Sequence, residues 1–208
     1  MLPVSATIPC SEGMREIKTI AVVGSGEPGR RIACRSCLAG FRTILEDVSP
    51  SALEQAIAWI RQALGEGISR GEISISDRDG ALRNLHTANS AEDASREADL
   101  IMETVSDEME MKIELFTVFD KFAKPGAIFA STTTSLPITD LAAVTFCPER
   151  CIGMRFFTGA QTAGRLELVE GRETSGETIA ACREVGRRMG LEVSLARDEQ
   201  TRTAGSGE

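Results

Sequence analysis

The chain has 208 residues, 42% hydrophobic and 26% charged, enough to bury the core of one domain of ordinary size and too apolar for a disordered chain. A formal charge of −8 at pH 7 excludes nucleic acid as the main partner, because phosphate backbones need clustered Lys and Arg. No apolar stretch approaches the length of a membrane span, and the mildly apolar run from Leu2 to Cys10 lacks the basic segment of a secretory leader, so a cytoplasmic address is expected.

Residues 1–16 are expected to form a flexible extension, with Met14 as an alternative start. From Thr19 to Val23 a short β-branched run reads as a buried strand. It ends in Gly24-Ser25-Gly26-Glu27-Pro28-Gly29, a G-x-G-x-x-G loop, and a helix-like stretch from Arg30 to Leu38 follows. In that setting Gly24 permits the tight strand-to-helix turn. Gly26 lets the backbone approach a diphosphate, and Gly29 lets the helix pack close to the strand. Free N–H groups and the positive end of the helix dipole then face the diphosphate. A second strand, Arg42 to Asp47, ends on a carboxylate placed to accept hydrogen bonds from an adenosine ribose. The unit as a whole predicts dinucleotide binding.

Ser49-Pro50 starts a helix, serine as N-cap and proline at the first helical position. Leu53, Ala56, Ile57, Ile60 and Leu64 share one face of it, whereas Trp59 lies off that spacing and receives no role. Residues 65–80 read as a polar connection with a short helix from Asp77 to Leu85, and His86 as a structural residue near a strand edge. The rhythm resumes with a strand over Asp99–Val105, a helix over Glu108–Ala123 and a strand over Ala127–Ser131. A short helix over Leu136–Val144 comes next, with strands over Arg150–Phe157 and Leu166–Val169. A helix over Ser175–Met189 and a strand over Leu191–Leu195 complete the pattern, and residues 197–208 are expected to be a disordered tail. Alternating strands and helices predict an α/β fold of Rossmann type: a doubly wound, mostly parallel sheet with flanking helices over residues 17–196. Cys34 and Cys37 lie one helical turn apart, Cys147 and Cys151 lack a partner motif, and the only histidine is His86. Buried free thiols are therefore expected in place of a metal or redox centre.

Several blocks in order resemble the 3-hydroxyacyl-CoA dehydrogenase family, specifically its N-terminal NAD-binding domain. They are Ile17 to Gly26, Leu45-Glu46-Asp47, Ala98 to Glu103, Met111 to Phe116, Ile128 to Leu136, and Glu149 to Phe157. The resemblance implies NAD as cofactor, with the diphosphate on Gly24, Gly26 and Gly29 and the ribose on Asp47. It places Asp107 and Lys112 at the nicotinamide half, Asp107 being a shorter carboxylate than the family's glutamate. Without the family, Lys112 reads as part of a solvated helix face.

The resemblance breaks at the chemistry. The family's G-M-H-F-F-N-P reads Gly153-Met154-Arg155-Phe156-Phe157-Thr158-Gly159 here, so Arg155 holds the position of the histidine base. Ungapped counting puts the base's orienting glutamate at Glu167. A guanidinium carries donors and no acceptor, so it cannot take a hydroxyl proton, and Arg155 with Glu167 is expected to form an ion pair. The family's S-N-T-S-S becomes Ser131-Thr132-Thr133-Thr134-Ser135, with Thr134 in place of the serine that bonds the substrate oxygen. The family continues into an all-helical C-terminal domain that closes the acyl-CoA site and dimerises, whereas this sequence diverges after Asp198 into a polar tail, so that half of the cleft is expected to be absent. Two readings follow from the resemblance. One is an NAD-dependent oxidoreductase of 3-hydroxyacyl-CoA thioesters in fatty-acid metabolism, weak or inactive as an isolated chain. The other is a catalytically silent NAD-binding sensor, or a subunit completed by another chain, with a separate helical-domain chain or a homodimer as the partner.

Overall fold

The computed structural model describes residues 16–157 and 164–198. Residues 1–15 of the expected N-terminal extension, residues 199–208 of the expected tail and the Thr158-Gly159 end of the family motif lie outside them, whereas Arg197, expected to begin the tail, belongs to a strand. Strand β1 (Thr19–Val23) leads into helix α1 (Glu27–Leu38), then β2 (Arg42–Glu46), α2 (Pro50–Ser69), α3 (Ile75–Asn84), β3 (Leu85–Ala88) and α4 (Ala91–Glu97). The second half runs β4 (Leu100–Glu103), α5 (Met109–Phe122), β5 (Ile128–Ser131), α6 (Ile138–Ala142), β6 (Cys151–Phe157), β7 (Arg165–Glu170), α7 (Gly176–Arg188) and β8 (Glu192–Arg197).

The strands form one eight-stranded sheet in the order β3-β2-β1-β4-β5-β6-β7-β8. Every pair is parallel except β6 with β7. From β1 the chain winds outward to β3, returns, and winds the other way from β4. The crevice over the carboxyl ends of β1 and β4 is therefore the switch point at which such sheets bind ligands. Both faces are covered, as a parallel sheet requires. Ile20, Val22, Leu45, Leu100 and Met102 pack with Ile32 of α1, Ile60 and Leu64 of α2 and Val185 of α7. On the other face Ala21, Val23, Ile101 and Phe129 meet Ala94 of α4, Phe116 and Phe119 of α5 and Leu141 of α6. Phe116, Phe119 and Phe129 form an aromatic cluster with centroids 5.8–6.4 Å apart.

The doubly wound, mostly parallel architecture agrees with the sequence pattern, and several boundaries differ. Helix α1 begins at Glu27, so Pro28 and Gly29 belong to its first turn. Helix α2 continues through Gly65 and Gly67 to Ser69 where a connection was expected. A side chain at Gly67 would meet Ile73 at 3.2 Å, so the glycine is what lets the next segment fold back on the helix. Helix α3 starts at Ile75, its end fixed by a capping box in which the Ser74 and Asp77 side chains each bond the other's backbone N–H. Helix α4, capped by Ser90, was not expected at all. His86 lies exposed in the edge strand β3. Strand β8 runs past Leu195 to Arg197, and the Asp198 carboxylate accepts from Thr139 N at 2.8 Å. Trp59 gains a place: the guanidinium carbons of Arg30 and Arg31 stand 4.9 and 5.5 Å from its ring.

Cys34, Cys37, Cys147, Cys151 and Cys182 are buried free thiols, as expected, and burial pushes Cys37 and Cys182 up to about 12. Among the described residues no group of His, Cys, Asp and Glu could hold a metal ion, and no helix is long and apolar enough to cross a membrane.

One buried carboxyl lacks a cation. Glu46, 2% exposed at the end of β2, has Oε1 without a hydrogen-bond partner among the described residues. Burial, then the nearby Asp47 and Glu92, pushes its carboxyl up from 4.5 to about 7. The folded state therefore holds a proton that the unfolded chain releases. This contribution to stability is complete below about pH 4.5 and is lost as the pH rises through about 7. Glu46→Gln should raise Tm by a few degrees at pH 8 and barely change it at pH 5. Thermal melts at the two pH values check this, and an equal shift at both would refute it.

Candidate cofactor-binding and active site

The turn from β1 to α1 is a steric construction. Gly24 has φ +97°, a left-handed conformation open to glycine, and its N–H donates to Glu46 O at 3.0 Å. Gly29 sits so close to the loop that a Cβ there would lie 1.9 Å from Gly24 O and 2.7 Å from Thr104 Oγ1. Thr104, at the end of β4, donates its hydroxyl to the carbonyls of Val23 and Gly24 at 3.1 and 2.9 Å and pins the turn from beneath. A Cβ on Gly26 would meet nothing nearer than Pro28 Cδ at 3.9 Å. The space above Gly26 is open, which is the cradle a diphosphate needs, so the loop fits the dinucleotide.

Asp47 stands beside this loop. Its Oδ2 accepts from Ser25 N and Ser25 Oγ at 2.8 and 2.7 Å, and Oδ1 accepts from Ser49 N at 2.9 Å. Burial alone would raise this carboxyl, but the Ser25 and Ser49 donors outweigh it and hold the group below its usual range. An ionised acceptor at the end of β2 is what ribose hydroxyls require. Ser25, an unremarked x of the motif, is the residue that orients it.

At the other side of β1 the structure revises the place of Lys112. The solvated helix face that its sequence neighbourhood suggested is wrong: Lys112 is fully buried. Its Nζ lies 2.8 Å from both carboxylate oxygens of Glu103, 3.2 Å from Val105 O and 3.3 Å from Asp107 Oδ1. The Ser131 hydroxyl donates to Glu103 Oε1. Burial pushes the Glu103 carboxyl upward, and the Lys112 ammonium pulls it the other way. Asp107 in turn accepts at Oδ2 from Thr134 N at 3.2 Å and Ser135 Oγ at 3.0 Å. For Asp107 too burial would raise the carboxyl, and the hydroxyl and N–H donors of the Thr133–Ser135 turn hold it down. Asp107, Lys112 and Thr134 are thus brought together. Sequence reasoning missed Glu103, although a glutamate closing a buried strand just before a lysine-bearing helix could have marked the pair.

Arg155 and Glu167 face each other across the antiparallel β6–β7 pair. Arg155 Nη1 donates to Glu167 Oε2 at 3.1 Å, and Nε donates to Thr133 O at 3.0 Å. The expected ion pair is present, half-buried, and tied to the loop that carries Thr134. Thr132, at the family's asparagine position, also faces the cleft beside Thr134 and Arg155.

The loop geometry separates the roles of two glycines. Gly26→Val should leave Tm unchanged within a few degrees and abolish NAD binding, because its side chain enters space that only a ligand would use. Gly29→Ala should destabilise the fold itself by at least about 2–3 kcal/mol, the scale of core overpacking. Melting curves with an NAD titration on each variant distinguish them. An NAD affinity unchanged in Gly26→Val would remove the diphosphate from this loop.

Comparison with known proteins agrees with this geometry. The family model for the NAD-binding domain of 3-hydroxyacyl-CoA dehydrogenase matches residues 19–199. The probable 3-hydroxybutyryl-CoA dehydrogenase of Bacillus subtilis is 33% identical over 175 residues, covering 84% of this chain and 61% of that protein. The 3-hydroxybutyryl-CoA dehydrogenase of Bradyrhizobium diazoefficiens is 34% identical over 182 residues, covering 88% and 62%. The crystal structure of (S)-3-hydroxybutyryl-CoA dehydrogenase from Ralstonia eutropha superposes with a TM-score of 0.83 at 28% identity, over 88% of this chain and 64% of that one. The chain thus spans about three-fifths of the length of these relatives. Its matched residues, fold and glycine loop make it a member of the 3-hydroxyacyl-CoA dehydrogenase family, corresponding to the NAD-binding domain.

Proposed function

We propose that this chain is the cofactor-binding half of an NAD-dependent dehydrogenase of 3-hydroxyacyl thioesters and turns over little or no substrate by itself. The observation that carries this reading is the Arg155–Glu167 ion pair in the position of an acid–base dyad. The N–H groups at the Gly24–Gly29 turn would hold the diphosphate of NAD, and Asp47 the adenosine ribose. Bound NAD supplies the hydride acceptor for a 3-hydroxyl, or as NADH the donor for a 3-ketone. Asp107 borders the nicotinamide half, and Lys112, being enclosed, acts through Asp107 as a positioning residue. The Thr134 hydroxyl orients the substrate oxygen. Arg155 Nε and Nη1 are spent on Thr133 O and Glu167, and no atom of the guanidinium can accept the hydroxyl proton. Loss of a general base costs about 10²–10⁴ in rate.

The same ion pair favours a second reading, a catalytically silent NAD-binding subunit completed by a separate helical chain or by a second copy. One sample separates the two: NAD is titrated, then acetoacetyl-CoA reduction is assayed, alone and with a helical domain supplied in trans. Restored turnover with Arg155→His plus the added domain supports the split dehydrogenase, and none in any combination supports the silent module. Arg155→His in the 208-residue chain alone should restore little, because Glu167 could orient the imidazole while hydride transfer also needs substrate positioning and water exclusion. Robust turnover by the unmodified chain would overturn both readings and assign Arg155 to the developing alkoxide as an electrostatic clamp.

Cofactor choice follows from Asp47. No Arg or Lys follows it through Leu53, so a 2′-phosphate would meet an ionised carboxylate without compensation. NAD should bind at least about tenfold more tightly than NADP, as read by paired titrations. Equal affinities would sink the assignment of Asp47 to the ribose.

A further inference from the structure

One row of residues across the carboxyl end of the sheet holds two buried glutamates in unlike circumstances. Strand register aligns Ala88 of β3, Glu46 of β2, Val23 of β1, Glu103 of β4 and Ser131 of β5. Neighbouring strands stand about 4.8 Å apart, and in this row Val23 alone separates the glutamates. Glu103 is fully buried and meets the Lys112 ammonium at 2.8 Å. Glu46 is 2% exposed, and its Oε1 has no hydrogen-bond partner among the described residues.

The charges nearest Glu46 share its sign. Asp47 follows it in the chain, and Glu92 lies in the first turn of α4 together with Asp93. The other charges of α4 are engaged elsewhere, Arg96 with Asp93 at 3.8 Å and the Phe122 ring at 5.0 Å, and Glu97 with Arg42 at 2.8 Å. Strand β1 presents Val23 and Gly24, which carry no ionisable side chain, and β3 presents His86, exposed and aligned with Ile44. The same glutamate belongs to the frame of the glycine turn. Its carbonyl accepts from Gly24 N at 3.0 Å, and the next residue, Asp47, accepts from Ser25 N and Oγ. A charge that appears on Glu46 therefore appears beside the diphosphate cradle, enclosed where water screens it little.

We propose that Glu46 makes dinucleotide binding depend on its own protonation: neutral, it leaves the Gly24–Gly29 turn open to an anionic diphosphate, and ionised, it opposes that anion from beneath. The inference rests on the diphosphate lying at this turn. Burial, with Asp47 and Glu92, pushes the carboxyl up to about 7, so the change falls at neutral pH. Below that value the neutral form predominates and NAD meets no added charge. Above it NAD must bind against the charge or draw a proton back, so affinity falls as the pH rises. Linkage makes the effect reciprocal: bound NAD raises the Glu46 carboxyl further and takes up part of a proton in this window. Asp47 stays ionised throughout, because the Ser25 and Ser49 donors hold it below its usual range.

Calorimetric titration of the 208-residue chain with NAD, at about pH 6, 7.5 and 8.5 and in two buffers of different ionisation enthalpy, reads affinity and proton uptake together. Affinity should fall at least about threefold between the extremes, with net proton uptake at the middle pH. Glu46→Gln, which keeps the neutral form, should level the profile and abolish the uptake. His86→Asn is the control, because histidine ordinarily changes charge near neutrality, and it should keep the full dependence. If Glu46→Gln fails to fold, proton uptake by the unmodified chain decides. Tight NAD binding with a flat profile, binding without proton uptake, or a pH dependence that survives in Glu46→Gln or vanishes in His86→Asn would overturn this inference alone. Absence of NAD binding at every pH would overturn the placement of the diphosphate and the inference with it.

Discussion

The ammonium of Lys112, enclosed at the carboxyl end of the sheet, is the group around which the functional end of this molecule is organised. Removing two opposite charges from water costs several kcal/mol each, and good geometry with further hydrogen bonds is needed to offset it. Here both carboxylate oxygens of Glu103, the Val105 carbonyl and Asp107 surround the ammonium, and the Ser131 hydroxyl satisfies the glutamate. Glu103 ends β4, Lys112 rises from α5 and Ser131 ends β5. None of these elements can shift without exposing or stranding a charge. The loops that continue from them carry Asp107 and Thr134, so the geometry of that turn rests on a pair buried beneath it.

The glycine loop is held by a different kind of constraint. At the β1–α1 turn the deciding quantities are distances too short for any side chain, between Gly29 and the Gly24 carbonyl and between Gly29 and Thr104. Backbone sterics shape the cradle, and one hydroxyl-bearing residue, Ser25, couples it to Asp47. The glycine turn is thus rigid through exclusion, the Asp107–Thr134 turn through charge.

The β6–β7 pair shows how strand register fixes which two side chains meet. Antiparallel register places residue 155 opposite residue 167 whatever the side chains are. A base and its orienting carboxylate would stand there in the family's arrangement. With arginine at 155 the register yields an ion pair in which Nε and Nη1 are engaged by Thr133 O and Glu167. Its neighbourhood along α1 is rich in arginine as well, with Arg31, Arg35, Arg165 and Arg188 lining the same cleft.

Much of the fold was legible before any coordinates. The glycine loop, the strand leading to Asp47 and the doubly wound architecture follow from spacing and residue type, because turn sterics and strand alternation act over a few residues, and the Arg155–Glu167 pairing followed from the family resemblance. Helix α4 was not legible: it is a single short segment, Ala91–Glu97, that buries only Ala94 and Ser95 and so carries no periodic apolar pattern. Lys112 was misread for a related reason, since Glu108, Glu110 and Glu114 around it resemble a solvated face. Its burial depends on Glu103 and on the packing of α5 against β4. The sequence by itself therefore determined the architecture and the kind of ligand, which local backbone geometry and periodicity dictate. Tertiary structure alone decided which charges are buried, paired or left free, because that depends on what distant segments bring within about 3 Å of one another.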